Sequence, residues 1–382
     1  MSAKQRMLYC FIILIGLGVA NPVQTQQTVK ITLDTGAVLY AGLENVNWLS
    51  FANSELDFQS PVYDAIRGRV TLQGTLVSIN GAVTTLFDIT RLFVRAQLPL
   101  FEGFSPRITV GKNTITWGMG AFFNAGNLFF GEAGSSGMLT TVSALSRNET
   151  DWLAVLYMPV GVFSFIECVL HVPLSEYTIV ASPQGNLMLP IAQSAGTQSM
   201  YGVRWYADFE ALALEAAWNY KETDNTHKVA ISAASALGSV ELYSSLNCVI
   251  PYEQPCVSGG ILILNFIPGI DATSVRFECL VQPEKPWSQT ELSEEMRQSG
   301  YPYGLHILAD IAFGFDTISF TTRTLYSPID SSALFVLTVL WKPYQGLWYY
   351  VSSTFNAGGQ GTLYESWTQS SWSVIGGLRM IF

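Results

Sequence analysis

The stretch from Tyr201 to Tyr220, YGVRWYADFEALALEAAWNY, has the clearest two-residue period in the chain. Every odd position from Tyr201 to Phe209 is apolar, and polar side chains such as Arg204 lie between them; the second half repeats the alternation at even positions. A period of two is that of a β-strand, whose side chains point alternately to its two faces. Two such runs joined at Glu210-Ala211 predict a hairpin with a tight turn.

The same alternation recurs in Ile66–Leu76 and Leu305–Phe313. In a soluble sandwich the apolar face would point to a core, whereas in a membrane barrel it would point to lipid. The composition favours the barrel, because 49% of the residues are hydrophobic and only 13% are charged, against about 25% charged in a typical soluble protein. After the N-terminal segment, no apolar run reaches the roughly 20 residues of a membrane helix. Closed barrels satisfy all backbone groups in lipid without such helices.

Trp and Tyr gather where strands are expected to end, which is typical of the aromatic girdles of membrane barrels. These residues are Trp152, Trp218 with Tyr220, Trp341 with Tyr344, Trp348-Tyr349-Tyr350, and Trp372. Between Val29 and Phe382 we count about 18 candidate strands, and 16 remain possible because Leu49–Phe58 is a weak strand. The prediction is an all-β fold: one antiparallel transmembrane β-barrel with short periplasmic turns and long extracellular loops.

The first 20 residues have the pattern of a secretory signal peptide, with Lys4 and Arg6 before the apolar run Met7–Leu17 and small residues up to Ala20. An uncleaved membrane anchor is the alternative. Residues 21–382 then form the single barrel domain. Loss of Lys4 and Arg6 leaves 17 of the 19 basic residues against 29 acidic ones, so nucleic acid is not an expected partner.

The C-terminal stretch Trp372–Phe382 places Phe382, Met380 and Leu378 on one face at two-residue spacing. It resembles the terminal strand by which outer-membrane barrels are recognised during assembly. This resemblance implies location in the cell outer membrane after export through the periplasm. It also implies three partners: periplasmic chaperones, the barrel-assembly machinery and outer-membrane lipids.

A second resemblance lies in Arg107–Asn124, RITVGKNTITWGMGAFFN. It is similar to a segment of porin-like and exopolysaccharide-exporter-like barrels in which a strand with Arg, Gly and a basic residue leads to Trp-Gly and then to an Asn near the outer rim. Asn113 stands where Gln is usual, and Ala125 where Pro is usual. The resemblance implies a substrate-type porin. Taken without it, Trp117 is predicted to be a girdle residue, and glycines 118, 120 and 126 allow the chain to bend out of the strand.

Basic residues dominate the early strands, and between positions 67 and 112 only Asp88 and Glu102 oppose them. If they face the lumen they form a positive wall, which is one way that pores select solutes. Acidic residues come later in the chain, so a transverse field is a further expectation; the alternative is that each arginine pairs with a nearby acid and stiffens the wall. The candidate pore-lining residues are Arg67, Arg69, Arg91, Arg95, Arg107, Lys112, Arg204, Asp208 and Glu210.

Cys248 and Cys256 bracket a Pro-containing loop and are candidates for a disulfide in an oxidising compartment. No cysteines have the close paired spacing of a zinc site, so neither a metal nor a cofactor is expected. The three histidines are not near a nucleophile motif, and the protein is not expected to be an enzyme. A Ser/His pair that meets only in space, as in barrel-embedded lipases, is the alternative.

These features predict a channel for passive diffusion of small polar solutes, anions among them. One rival is a surface-exposed structural or adhesive barrel that acts through its loops and has a filled lumen. Another is a transporter of hydrophobic substrates, suggested by two runs that are apolar on both faces, Gly260–Ile267 and Ala333–Trp341. An apolar inner wall, contact with a plug or a wrong register would each explain those runs. The segment Met119–Thr150 either folds into the mouth or forms a surface loop. The sequence leaves the solute and the oligomeric state open.

Overall fold

A computed structural model describes residues 28–41, 46–60, 65–79, 82–98, 100, 104–135, 138–139, 145, 147, 149–172, 176–181, 187–193, 199–252, 254–267, 269–270, 272–292, 301–359, 361–367 and 372–382. The predicted signal peptide lies outside these residues. Within them, no helix has the length and apolar character needed to cross a bilayer.

The described residues form twenty strands, one 3₁₀ turn at Gln289–Glu291 and one short helix, α1, at Leu363–Trp367. The strands are β1 Thr28–Ala41, β2 Val46–Gln59, β3 Ile66–Ile79, β4 Ala82–Gln97, β5 Arg107–Thr114, β6 Thr150–Val160, β7 Ser164–His171, β8 Glu176–Ala181, β9 Leu187–Gln193, β10 Met200–Asp208, β11 Leu212–Lys221, β12 Thr226–Leu237, β13 Val240–Ile250, β14 Gln254–Leu264, β15 Ala272–Val281, β16 Leu305–Gly314, β17 Ile318–Ser327, β18 Ser332–Tyr344, β19 Leu347–Ala357 and β20 Trp372–Ile381.

Eighteen of these strands close into one antiparallel barrel, which confirms the predicted fold and strand number. Each strand from β1 to β7 pairs with the next, β7 pairs with β10, and the series continues to β20, which pairs with β1. The strand expected to be weak is β2, and it pairs along its whole length with β1.

The hairpin of β8 and β9 stands outside this ring. β5 pairs with β4 only up to Leu92, and beyond Thr114 the chain leaves the wall. The other half of β4 therefore lacks β5 as a neighbour, and β8 pairs with it at Thr85–Phe87. The strand within the Arg107–Asn124 segment is accordingly short and ends at Thr114.

The three longest connections lie at one end of the barrel, opposite the tight turns that the sequence predicted, although several short connections share their end. At one end, here called the turn end, residues 161–163, 209–211, 238–239 and 315–317 join successive strands. Glu210 has φ 60 in the tight turn predicted at Glu210-Ala211. At the other end, the loop end, the chain runs over 115–149, 172–199 and 282–304 before the next barrel strand.

The outer face of the barrel is apolar over its whole height. Ile231 is 61% exposed and Leu337 47% exposed in the middle of their strands, and soluble monomers rarely leave so wide an apolar surface uncovered. Exposed aromatic residues form a girdle near the loop end, with Trp48, Tyr201, Trp218, Tyr326, Phe355 and Trp372. A second girdle near the turn end contains Phe209, Phe315, Phe320, Trp341, Tyr344, Tyr349 and Phe382. Such a surface fits a bilayer.

The run Trp348-Tyr349-Tyr350 belongs to the girdle only in part, because strand residues alternate. Tyr349 is exposed, but Tyr350 is buried on the inner face, where its hydroxyl donates to Asp34 at 2.6 Å. Arg379 donates to the same carboxylate at 2.6 Å. These three residues tie β1, β19 and β20 together where the barrel closes. As predicted, Phe382, Met380 and Leu378 lie on the opposite, outer face of this register.

The predicted Cys248–Cys256 disulfide is wrong. In the register of β13 and β14, Cys248 is opposite Pro255, and Cys256 is opposite Asn247. Neighbouring positions of a strand point to opposite faces, so the two thiols are on different sides of the sheet. Both are free.

Candidate functional site: the lumen and the segment folded into it

The described residues between β5 and β6 (115–135, 138–139, 145, 147 and 149), here called the inserted segment, turn inward from the end of β5 and pass into the barrel. Two glycines permit the turn: Gly118 has φ 75 and Gly120 has φ 141, values that residues with a side chain rarely adopt. A side chain at Gly118 would also collide with the backbone of Gly126. Gly118 and Gly120 therefore bend the chain as predicted, whereas Gly126 allows the close approach to Gly118. Of the two alternatives for Met119–Thr150, the structure has the one in which the segment folds inward.

Glu278 on β15 holds the first part of the inserted segment. Its carboxylate accepts the backbone N–H groups of Ala121 at 2.8 Å, Phe122 at 2.9 Å and Phe123 at 2.8 Å, and the hydroxyl of Tyr243 at 2.5 Å. Glu278 is 2% exposed. A buried carboxylate requires such donors because its charge has left water, and here most of them come from the inserted segment.

Glu215 on β11 and Glu167 on β7 hold the start of the segment in the same way. Glu215 accepts the N–H of Gly118 at 2.6 Å, and Glu167 accepts the indole N–H of Trp117 at 2.7 Å. Arg204 bridges the two carboxylates at 2.8 and 3.2 Å. Trp117 is fully buried inside the barrel, so the prediction that it belongs to the membrane girdle is wrong: the ring packs against the wall of the lumen, and its N–H is bound by Glu167.

Further polar contacts attach the inserted segment to β13, β14, β15 and β17. Ser258 accepts the N–H of Ala125 at 2.7 Å, and Asn247 donates to the carbonyl of the same residue at 2.7 Å. Arg276 donates to the carbonyl of Leu145, and Arg323 donates to that of Leu139. Since each such bond contributes about 1 kcal/mol and more when one partner is charged, the segment is firmly attached across this arc of the wall.

An apolar core joins the inserted segment to other loop-end residues and to the wall. Its members from the inserted segment are Phe122, Phe123, Ala125, Leu139 and Leu145; from residues 292–303, Leu292, Tyr301 and Tyr303; from α1, Leu363 and Tyr364; from the wall, Cys256, Leu280, Leu308, Leu325, Leu334 and Val336. Burial raises the pKa of the Tyr301 and Tyr364 phenols above the ordinary value. We call the non-wall members, with the inserted segment, the plug. Contact with it explains the doubly apolar character of Ala333–Trp341, because the inner-face residues Leu334 and Val336 pack against it.

The inner face of β1–β4 differs from that of β11–β18. On β13 to β15 the inner-face residues Ser245, Ser258 and Glu278 are at most 2% exposed beneath the plug. On β2 and β3 the inner-face positions Asn53, Glu55 and Gln73 are partly exposed. The plug therefore fills one side of the lumen and leaves solvent-accessible space along β1–β4.

Most of the predicted basic residues lie on this accessible side, and their environments fall into two groups. Arg69 pairs with Asp57 through two bonds of 2.6 and 2.8 Å, and Lys112 lies 3.7 Å from Asp88. Among the described residues, no carboxylate lies within ion-pair distance of the other early arginines, Arg67, Arg91, Arg95 and Arg107. The expectation of a stiffened wall thus holds for some positions and that of free positive charge for others.

Two of these four arginines, Arg95 and Arg107, contact neutral groups. Arg67 is opposite Arg95 in the β3–β4 register, and Arg95 donates to the hydroxyl of Thr109 at 3.2 Å. The guanidinium of Arg107 lies 4.0 Å from the ring centre of Tyr157. Arg95 and Arg107, together with Arg204, line a cavity of about 170 Å³, which we call the arginine chamber.

The acidic residues do not form the expected opposing wall. Glu215 and Glu278 are buried against the plug. Asp208 is exposed at the last position of β10, and Glu210 lies in the turn beyond it. Neither is at mid-height in the lumen. The two best-placed carboxylates instead hold the inserted segment, and Arg204 neutralises one of them, Glu215.

A larger cavity of about 790 Å³ opens at the loop end, above the residues of the inserted segment from Leu128 to Glu132. We call it the vestibule. Its charged groups are mostly paired: Lys228 with Glu132 at 3.2 Å, and His171 with Asp151 at 2.6 Å. Burial alone would raise the pKa of Glu132, but Lys228 and Asn247 outweigh it and hold that pKa below its ordinary value.

Small inner-face residues are the signal that sequence reasoning missed. Gly202, Ser232, Ser245 and Ser258 all lie where the inserted segment meets the wall. A side chain at Gly202 would collide with Phe129 and Trp117. A series of small residues on the inner face of successive strands indicates that another part of the chain packs there.

No protein-family model matches this chain, and no curated protein matches it. Among solved structures, the crystal structure of Pseudomonas aeruginosa OccD3 (OpdP) aligns over 96% of both chains, with 8% identity and a TM-score of 0.50. A mutant of Rhodopseudomonas blastica porin aligns over 94% of this chain and 100% of its own, with 8% identity and a TM-score of 0.45. At such identities OccD3 provides evidence on the fold alone, and that fold is a porin-like antiparallel β-barrel.

Proposed function

We propose that the protein is an outer-membrane channel through which small polar solutes diffuse, with a preference for anions. The observation that carries this proposal is the accessible inner face of β1–β4 beside the plug, with arginines that have no carboxylate partner among the described residues. A barrel of 16 to 18 strands has room for a water-filled passage. Unpaired arginines in that passage attract anions and repel cations.

Conductance in planar bilayers tests the channel, and charge selectivity tests the role of the arginines. The triple variant Arg91→Gln, Arg95→Gln, Arg107→Gln removes three charges that no ion pair holds. We expect its reversal potential in a KCl gradient to shift towards that of a cation-preferring pore. The matched control is Lys221→Gln, which removes a positive charge at the loop-end rim that is paired with Asp224. It should leave selectivity nearly unchanged.

Two results would contradict the proposal separately. An unchanged reversal potential in the triple variant would remove the anion preference, while the channel would stand. Absence of conductance from correctly folded protein would remove the channel itself.

One observation favours a second candidate, a surface-exposed structural or adhesive barrel that acts through its loops. The plug has a dry core of large side chains, including Phe122, Tyr303 and Tyr364 at 0% exposure, and a filled lumen is what that function expects. Deleting exposed loop-end residues should then abolish binding of a partner cell or protein without changing permeability. A conducting wild-type pore would favour the channel.

A further inference from the structure

We propose that the vestibule is a binding site for a neutral, polyhydroxylated ligand of the size of a mono- or disaccharide. Its volume, about 790 Å³, lies within the range of about 300–1,000 Å³ that is usual for small-molecule sites. The proposal goes beyond channel function, because a ligand can bind at the loop end whether or not it crosses the barrel.

The charges of the vestibule argue against an ionic ligand. Lys221 pairs with Asp224 at 2.6 Å and Lys228 with Glu132 at 3.2 Å. Lys285 donates to the carbonyl of Tyr301 at 2.5 Å, and burial lowers its pKa below the ordinary value, with Glu132 acting in the opposite direction. An anion would have to compete with the carboxylates and the carbonyl that already bind these lysines.

The amides of the vestibule favour hydroxyl groups. Asn219 and Asn247 are 2% and 1% exposed. Asn219 Nδ2, Asn247 Oδ1 and Gln282 Oε1 have no hydrogen-bond partner within the described part of the chain. A buried amide group that lacks a hydrogen-bond partner costs free energy. A hydroxyl both donates and accepts, so a saccharide can serve the amide nitrogen and the two carbonyl oxygens alike.

Apolar groups in the same cavity fit the other side of such a ligand. Phe129, from the inserted segment, and Tyr252, from the turn after β13, line the cavity with Leu128 and Val249. Aromatic rings beside hydrogen-bonding amides match a sugar ring, which carries hydroxyls at its rim and C–H groups on its faces. The vestibule thus combines both kinds of contact, and its three lysines are already bound to carboxylates or to a carbonyl.

Titration calorimetry of the detergent-solubilised full chain tests the site with three probes: maltose, the polymer dextran as a stand-in for surface polysaccharide, and succinate as a small dianion. We expect saturable binding of maltose. Binding of dextran by the same residues would identify the same chemistry in a surface glycan. Saturable succinate binding at the vestibule, with neither saccharide bound, would overturn the proposal.

The double variant Asn219→Leu, Gln282→Met removes two amides while keeping side-chain size. We expect the maltose dissociation constant to rise roughly tenfold or more, the effect of losing two hydrogen bonds of about 1 kcal/mol each. Because Asn219 Nδ2 and Gln282 Oε1 make no hydrogen bond within the described part of the chain, the variant should fold with a stability close to that of the wild type, which the heat-induced gel-mobility shift checks. Asn53→Leu, on the accessible inner face of β2, is the matched control and should bind maltose normally.

An unchanged maltose affinity in the double variant would also overturn the site. The outcome is separable from that for the channel: loss of maltose binding with normal conductance concerns the vestibule alone, and maltose binding by a non-conducting barrel concerns the channel alone.

Discussion

Replacing Glu278 with Gln is expected to release the plug from the wall. One carboxylate oxygen accepts the N–H of Ala121 and the Tyr243 hydroxyl, and the other accepts the N–H groups of Phe122 and Phe123. A glutamine would turn its NH₂ group towards at least one of these backbone N–H donors. Each stranded donor costs about 1–3 kcal/mol, so the released fraction should rise roughly 5- to 150-fold.

The assay is single-channel recording of the Glu278→Gln variant, which should show a more frequent or longer-lived high-conductance level. Limited proteolysis should cut the inserted segment faster. Glu241→Gln is the matched control, since Glu241 is on β13, two strands from Glu278, and contributes no hydrogen bond to the plug among the described contacts. If Glu278→Gln conducts and resists protease like the wild type, the carboxylate does not hold the plug and the reasoning fails.

Three further predictions concern pH, barrel closure and the thiols. The pKa of Glu132 is lower in the folded protein than its ordinary value of 4.5. Its contribution to plug stability should therefore be present above about pH 4.5 and lost as the pH falls through the folded pKa. Recordings from pH 7 to 3 should show open events becoming more frequent only at the acid end, and in Lys228→Met this increase should begin at a higher pH. Asp34→Asn weakens the contacts of Arg379 and Tyr350 across the closing strands and should lower stability by about 2 kcal/mol, seen as a lower temperature of the gel-mobility shift on heating; an unchanged transition would contradict it. Since Cys248 and Cys256 point to opposite faces, reducing agent should not alter gel mobility, and a reducible shift would restore the disulfide.

The barrel could be predicted from the sequence because its determinants are local. Alternation within Tyr201–Tyr220 depends on neighbours two residues apart, and the tight turn at Glu210 follows from where the alternation changes phase. The terminal strand likewise carries its own pattern, with Phe382 and Met380 on one face. Periodicity of this kind depends only on residues within one strand, so it can be detected without knowing the structure of the rest of the chain.

The plug could not be predicted in the same way, because its contacts join distant residues. Gly118 and Glu215 are 97 positions apart, and Phe123 and Glu278 are 155 apart. Nothing near Trp117 in the sequence distinguishes a girdle position from an indole that donates to Glu167. The role of Glu215 and Glu278 was missed for the same reason. Their partners are backbone N–H groups, and every residue type except proline carries one, so the sequence does not show where they are.

The route of the inserted segment also has a mechanical consequence. It starts from β5 and is hydrogen-bonded to β11, β15 and β17, so it links separate parts of the barrel wall across the lumen. A barrel without such a link across its lumen can flatten under lateral pressure, because its strands can slide and tilt together. With the two sides tied, lateral compression by the surrounding lipid should be resisted along the line that the segment follows across the lumen.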